Sequence, residues 1–127
     1  MFNRLNQALL RYIDRKRRVP RIEAVESTRD GFTVTWQAHT DQPSETAHHV
    51  WGDIRRVAAI LVPGLLGGDE CLLVDVDGSV LQLTVEVAGF EAFIEEGAKR
   101  LNGWRPVTEW RLTLAAASPG HVVDVYG

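Results

Sequence analysis

Three of the four histidines fall close together, at His39, His48 and His49, with Asp41 and Glu45 between them. Imidazoles and carboxylates in one segment could bind a transition metal, or form a His–carboxylate pair acting as a general base. The spacing favours neither. Adjacent His48 and His49 point to opposite sides of an extended chain, and no His-x3-His or Cys-x2-Cys pattern accompanies them. No serine or cysteine stands in an identifiable nucleophile elbow. Residues 39–49 (HTDQPSETAHH) also lose hydrophobic periodicity and gather Pro43, Ser44 and Thr46, which predicts an exposed loop. The three histidines are the metal candidates on this segment, and solvation is the favoured state for them.

The remaining chemistry-bearing residues read as packing. Cys71 sits beside Leu72 and Leu73, where a thiol is a small core residue rather than an activated nucleophile. As the single cysteine it forms no internal disulfide, which fits a reducing compartment. Pro63-Gly64 and Gly67-Gly68 enclose Leu65 and Leu66. A phosphate-cradling loop would need Gly-Lys-Ser/Thr there. The segment is expected as a flexible surface loop whose two leucines are exposed or meet a partner.

Charge is divided unevenly along the chain. Residues 1–21 hold seven basic residues against Asp14 alone, a balance of +6, while the rest holds seven basic and sixteen acidic residues, a balance of −9. Phe2, Leu5, Leu9, Tyr12 and Ile13 recur on one face of a helix over residues 2–18 that ends before Pro20. Its tail, with Arg11, Arg15, Lys16, Arg17 and Arg18, could meet phosphates, a neighbouring subunit or the chain's own acidic body. Nucleic-acid binders usually add interleaved aromatics or a reading helix. With an acidic pI near 5.8, the favoured docking is on the chain itself or on a second subunit.

The elements that position these residues are best read from Glu70 to Asn102. Asp77-Gly78 between two alternating apolar runs predicts a two-residue hairpin turn. It sets Val76 opposite Ser79, Val74 opposite Leu81, Leu72 opposite Leu83 and Glu70 opposite Val85. Leu72, Val74, Val76, Leu81, Leu83 and Val85 would form the buried face, and Asp75, Gln82, Thr84 and Glu86 the polar one. Phe90, Phe93, Ile94 and Leu101 then recur at helical spacing up to the stop at Asn102-Gly103, with acidic residues early and Lys99 and Arg100 late. Gly97 on the apolar stripe predicts close approach of this helix to the sheet.

Upstream, Arg21 to Ala38 reads as a second hairpin, with Ile22 and Ala24 facing Phe32, Val34 and Trp36 across an Arg29-Asp30-Gly31 turn that holds Gly31 in the left-handed region. In Val50–Val62 the chain corners at Gly52-Asp53, between a strand ending near Trp51 and one running from about Arg55. A final strand pair is expected around Ser118-Pro119-Gly120, with Trp110, Leu112 and Leu114 on one strand. The terminal strand would be an edge open to dimer pairing.

A content of 45% hydrophobic and 24% charged residues in 127 is enough for one domain over residues 1–127. It divides into an N-terminal helix with a basic tail (1–19) and a sheet-and-helix core (20–127). No apolar run reaches the ~18 residues of a membrane span, and Arg4 stands where a signal peptide would begin its apolar region. A cytoplasmic location is expected, with no cofactor.

The order Trp51-x-Asp53-Ile54-x-x-Val57, a Leu/Val hairpin, Glu86 and Gly89-Phe90-x-x-Phe93 resembles small uncharacterised bacterial proteins whose core is similar to bacterial pleckstrin-homology-like (PH-like) domains. The resemblance covers about residues 22–101 and implies a bent antiparallel sheet closed at one end by a helix, used for binding and scaffolding. It carries over no catalytic residue. The expected fold is therefore α+β, a curved antiparallel sheet forming a PH-like, partly open barrel of about six to eight strands. An N-terminal amphipathic helix and a helix near residues 89–102 complete it. The expected role is a non-catalytic interaction or scaffolding module that binds a protein partner or itself. Two rivals are a toxin-neutralising, immunity-type protein using Asp69, Glu70, Asp75 and Asp77 against a basic target, and a small enzyme with a pocket between sheet and helix.

Overall fold

A computed structural model of the chain describes residues 21–37, 44–64, 67–118 and 120–127. Among these, seven strands form two antiparallel sheets that are not closed into a barrel. The first sheet has the order β1 (Ile22–Ser27), β2 (Gly31–Trp36), β3 (Glu45–Val50). The second has the order β6 (Ser79–Thr84), β5 (Gly67–Val76), β4 (Ile54–Gly64), β7 (Val123–Tyr126). Two helices, α1 (Phe90–Arg100) and α2 (Val107–Ala116), complete an α+β fold. The expected N-terminal helix lies outside the described residues.

The Asp77-Gly78 turn forms as its residue types require. Both residues have positive φ, 49° and 99°, which sets Val76 opposite Ser79, Val74 opposite Leu81 and Leu72 opposite Leu83. Pairing stops at Thr84, however, because the chain turns there to donate the Val87 N–H to the Thr84 carbonyl. Val85 is consequently exposed, and Glu70 faces Leu61 of β4 instead. The side expected to be polar is also largely buried. Cys71 and Leu73 lie there fully covered, beside Ala58 and Ile60. The unbroken apolar runs Val57–Val62 and Cys71–Val74 are those of strands covered on both faces.

The β1–β2 hairpin departs from simple alternation. A bulge between Ile22 and Ala24 shifts the register, so Val25, not Ala24, turns inward beside Ile22, Phe32 and Val34. Gly31 is not in the left-handed region. It opens β2, and glycine is needed because a Cβ there would sit 2.1 Å from the His49 carbonyl oxygen. Thr28 closes the turn, its Oγ1 accepting from the Gly31 N–H at 3.2 Å.

The segment expected as a loop through residue 49 contains β3, whose six residues all pair with β2. A 3-10 turn at Trp51–Asp53 then corners the chain, as expected, and carries it from one sheet to the other. Pro63-Gly64 and Gly67-Gly68 are not a flexible connection. They pair with each other as the last rungs of a long β4–β5 hairpin. Leu65 and Leu66, between them, lie outside the described residues.

Downstream of α1 the expected strand is the helix α2. Val107, Trp110 and Leu114 recur at helical spacing, with Pro106 at the N-cap, and Trp110 and Leu114 are buried while Leu112 is 75% exposed. Alternation over Trp110-Leu112-Leu114 was the wrong period. Val123 and Val125 do form the terminal strand and are buried.

One large core joins both sheets and both helices. At its centre an aromatic stack runs from Phe32 to Trp51 (5.2 Å between ring centroids) and Phe93 (5.2 Å), on to Trp104 (6.2 Å from Phe93) and Tyr126 (6.1 Å from Trp104). Gly97 serves this stack rather than the sheet. A Cβ at that position would lie 2.6 Å from the Trp104 ring.

Candidate interaction surface

Strand geometry separates two of the three histidines. In β3 the two neighbours project to opposite sides. His48 meets Thr33 on the outer face, its Nδ1 3.1 Å from the Thr33 hydroxyl oxygen, while the His49 ring lies 5.3 Å from that of Phe32 on the inner face. His39 lies outside the described residues. Among the described residues no three His, Cys, Asp or Glu groups converge closely enough to hold a metal ion. Burial pushes the Cys71 thiol up to about 12, so it stays protonated and a poor nucleophile.

The space between the three-stranded sheet and α1, where a pocket would open in the enzyme reading, is filled by Phe32, Trp51 and Phe93. The four acids of the basic-target reading do not form one surface. Arg111 holds Glu70 with Nη2 to Oε1 at 3.0 Å, and Arg55 holds Asp77 at 3.1 Å. Asp75 is buried, its Oδ1 accepting from the Gly78 N–H.

Arg111 ties three elements together. Its guanidinium reaches Glu70 on β5 and, at 2.6 Å, Glu91 on α1, while stacking 5.2 Å from the centroid of its own Trp110 ring on α2. The hydrogen bond to Glu91 is the main cause that holds its proton more tightly than usual; burial opposes it, and the hydrogen bond to Glu70 and the charges of both carboxylates add to it. Lysine keeps the charge but not the fork that serves two carboxylates. Arg111→Lys is expected to cost about 1 kcal/mol and Arg111→Ala about 2 kcal/mol. Urea unfolding at low and high salt checks this, since the loss from lysine substitution should shrink as salt screens the half-exposed pair. Equal stabilities for all three proteins would show that the bridge holds nothing.

Among the described residues, β3 is an edge strand with no further strand or bridge on its outer side. It pairs with β2 on one side, over six rungs without a register shift, and contains no lysine, proline or bulge to discourage further pairing. Glu45, Thr46, His48 and Val50 are exposed. The other edges are less open. β7 is an edge as expected, but Arg105 covers it, its backbone N–H donating to the Val125 carbonyl at 2.8 Å and its Nη1 to the Asp124 carbonyl at 3.0 Å. On β6 every residue after Ser79 is buried or half-buried. On β1 the outer side is bridged by Ala88, whose carbonyl accepts from the Val25 N–H.

Pairing also defines the face that accompanies the β3 edge. Glu26, Thr33 and His48 form one row, Ala24, Thr35 and Thr46 the next, and Val50 stands beside Gly31. Glu26 is the one acid or base of ordinary charge in this group. A flat surface rich in threonine and carrying an exposed valine can desolvate at low cost when another chain covers it. Sequence reading missed it because Thr46, His48 and Val50 alternate with residues scarcely more apolar. The signal was the matching row of Thr33 and Thr35 on the neighbouring strand.

The interaction residues expected from sequence, Arg11, Arg15, Lys16, Arg17, Arg18, Leu65 and Leu66, lie outside the described residues. No helix among the described residues is long and apolar enough to cross a membrane. No protein-family model, curated protein or solved structure matches the chain.

Proposed function

We propose that the protein is a non-catalytic interaction module that receives an extended segment of a protein partner along β3, with the threonine-rich outer face of the first sheet as the accompanying contact surface. The observation that carries this reading is the β3 edge, paired with β2 alone among the described strands, free of register shifts and ending at exposed Val50. Strand addition of this kind takes affinity from main-chain hydrogen bonds and selectivity from alternate side chains, here Thr46, His48 and Val50. The resemblance to PH-like domains belongs to the same proposal, since those domains bind and scaffold.

The test is co-purification of the untagged full chain from its host, beside a Thr46→Pro/Val50→Lys variant. Proline removes a donor from the edge and lysine adds a charge to it. A protein that travels with the wild type and is lost from the folded variant supports the reading. A doubled mass of the wild type alone, lost in the variant, identifies the partner as a second copy. A partner kept equally by both proteins, or none above a mock purification, would sink the proposal.

A further inference from the structure

Among the described strands, β3 alone contains no buried residue. Its six residues, ETAHHV, are held by pairing with β2 more than by the core, and a strand on the outer edge would cover them further. Glu45 is the single acid of β3, which has no lysine or arginine. Among the described residues neither its carboxylate nor the His49 imidazole has a hydrogen-bond partner; His49 meets Phe32 ring to ring. Glu45, Ala47 and His49 share the inner side of the strand, and Thr46, His48 and Val50 the outer.

Two identical strands that meet antiparallel across a two-fold axis pair residues whose numbers have a constant sum. That sum is even, because opposed side chains share a face. Three registers centre on this strand. About His48, that residue meets itself, and Glu45 faces Trp51, which has left the strand for the 3-10 turn. About Thr46, Glu45 faces Ala47, and His49 falls opposite residue 43, outside the described residues. About Ala47, all of residues 44–50 are matched. Glu45 then faces His49, Thr46 faces His48, Ser44 faces Val50, and the smallest side chain of β3 lies on the axis.

In that register the strand is complementary to itself. Its one acid meets an imidazole, symmetry makes the pair twice, and no like charges stand opposite. Even a neutral imidazole has one N–H to donate to a carboxylate, in a charge-assisted hydrogen bond.

We propose that the partner received along β3 is a second copy of this chain, its β3 antiparallel to the first about a two-fold axis at Ala47, with Glu45 of each copy accepting from His49 of the other. This rests on the strand-addition reading of β3 and names its partner. The two copies share one sheet in the order β1-β2-β3-β3-β2-β1, which joins their threonine-rich faces in a single surface. One short edge pair buries less than the roughly 1,200 Å² of stable interfaces, so the dimer is a weak one.

Sedimentation equilibrium of the untagged full chain, from micromolar to near-millimolar concentration, should show the mass passing from monomer to dimer. Glu45→Lys sets a cation against His49 at both ends of the pair and should raise the dimer dissociation constant roughly tenfold. Glu45→Lys/His49→Glu should restore it. A foreign partner would not follow a swap made within one chain. Should the swap not fold, single cysteines decide. Ala47→Cys should give a disulfide-linked dimer under mild oxidation, its two Cα atoms lying about 5 Å apart. In Thr46→Cys or His48→Cys the two thiols stand diagonally, with Cα atoms roughly 8 Å apart, too far to bridge, and Cys71 is buried and does not compete.

A wild type that stays monomeric, a folded swap that does not restore the dimer, or faster linkage through residue 46 or 48 than through 47 overturns the proposal. A monomeric wild type that still carries a foreign protein, lost from Thr46→Pro/Val50→Lys, overturns the second copy and leaves the edge reading standing. A monomer that carries nothing removes both.

Discussion

Phe93→Ala is expected to lower the free energy of unfolding by about 3–5 kcal/mol, the usual range for emptying a large aromatic site in a core. Phe93 is fully buried on α1, meets Phe32 edge-on at 80° between ring planes, lies 5.5 Å from Trp51 and touches the Trp104 ring system from the other side. It thereby joins the first sheet, the corner between the sheets and the segment after α1. None of these can collapse into the space it would leave, because Phe32 is fixed in β2 and the Trp51 indole donates to the Thr28 carbonyl at 2.9 Å. Against a typical total stability of roughly 5–15 kcal/mol, such a loss leaves a marginal protein. Phe93→Leu keeps most of the volume and is expected to cost about 1–2 kcal/mol. Urea unfolding followed by far-ultraviolet circular dichroism measures both, and avoids the tryptophan emission that Phe93 itself affects. An alanine variant within about 1 kcal/mol of the wild type would mean that the stack does not hold the two sheets together.

What the sequence disclosed depended on how many independent signals fell on one element. At Asp77-Gly78 turn chemistry and alternation agree, and α1 has period, charge order and a glycine stop in accord, so both form where expected. Trp110 to Leu114 offered two periods at once. The helical one prevailed because Val107 extends it and Pro106 starts it, whereas alternation would have turned Leu112 inward. β3 was hidden for a different reason. Its side chains are too polar to mark a face, and only pairing with Thr33 and Thr35, remote in sequence, makes a strand of it. Gly31 and Gly97 show a third limit. Each looked like a local conformational requirement or a helix–sheet contact, and each is set by a neighbour that only the fold brings near, the His49 carbonyl and the Trp104 ring. Reading the hairpin as one-sided hid the second buried face, although the adjacent apolar residues of β4 and β5 were its signature.

Gly89→Ala is expected to cost at least about 3 kcal/mol, and Gly103→Ala only about 1 kcal/mol, although both glycines have positive φ, 86° and 97°. Left-handed backbone alone is tolerable for alanine at roughly 1–2 kcal/mol. At Gly103 nothing lies within 4 Å of the added Cβ, so that is the whole cost. At Gly89 the Cβ would sit 2.0 Å from the Val25 carbonyl oxygen, a backbone atom that cannot rotate away. Moving it strains β1 where Val25 N–H donates to the Ala88 carbonyl at 2.8 Å and Ala88 N–H to the Glu23 carbonyl at 3.1 Å. Gly89 also caps α1, whose first turn begins with its carbonyl accepting from the Phe93 N–H at 2.9 Å. A shift at this one residue therefore loosens the helix and the strand it packs on together. Denaturant unfolding of the two variants, with hydrogen exchange at Val25 and Phe93, separates steric from conformational cost. Equal losses for the two alanines would mean that β1 and the start of α1 are not in the close contact described.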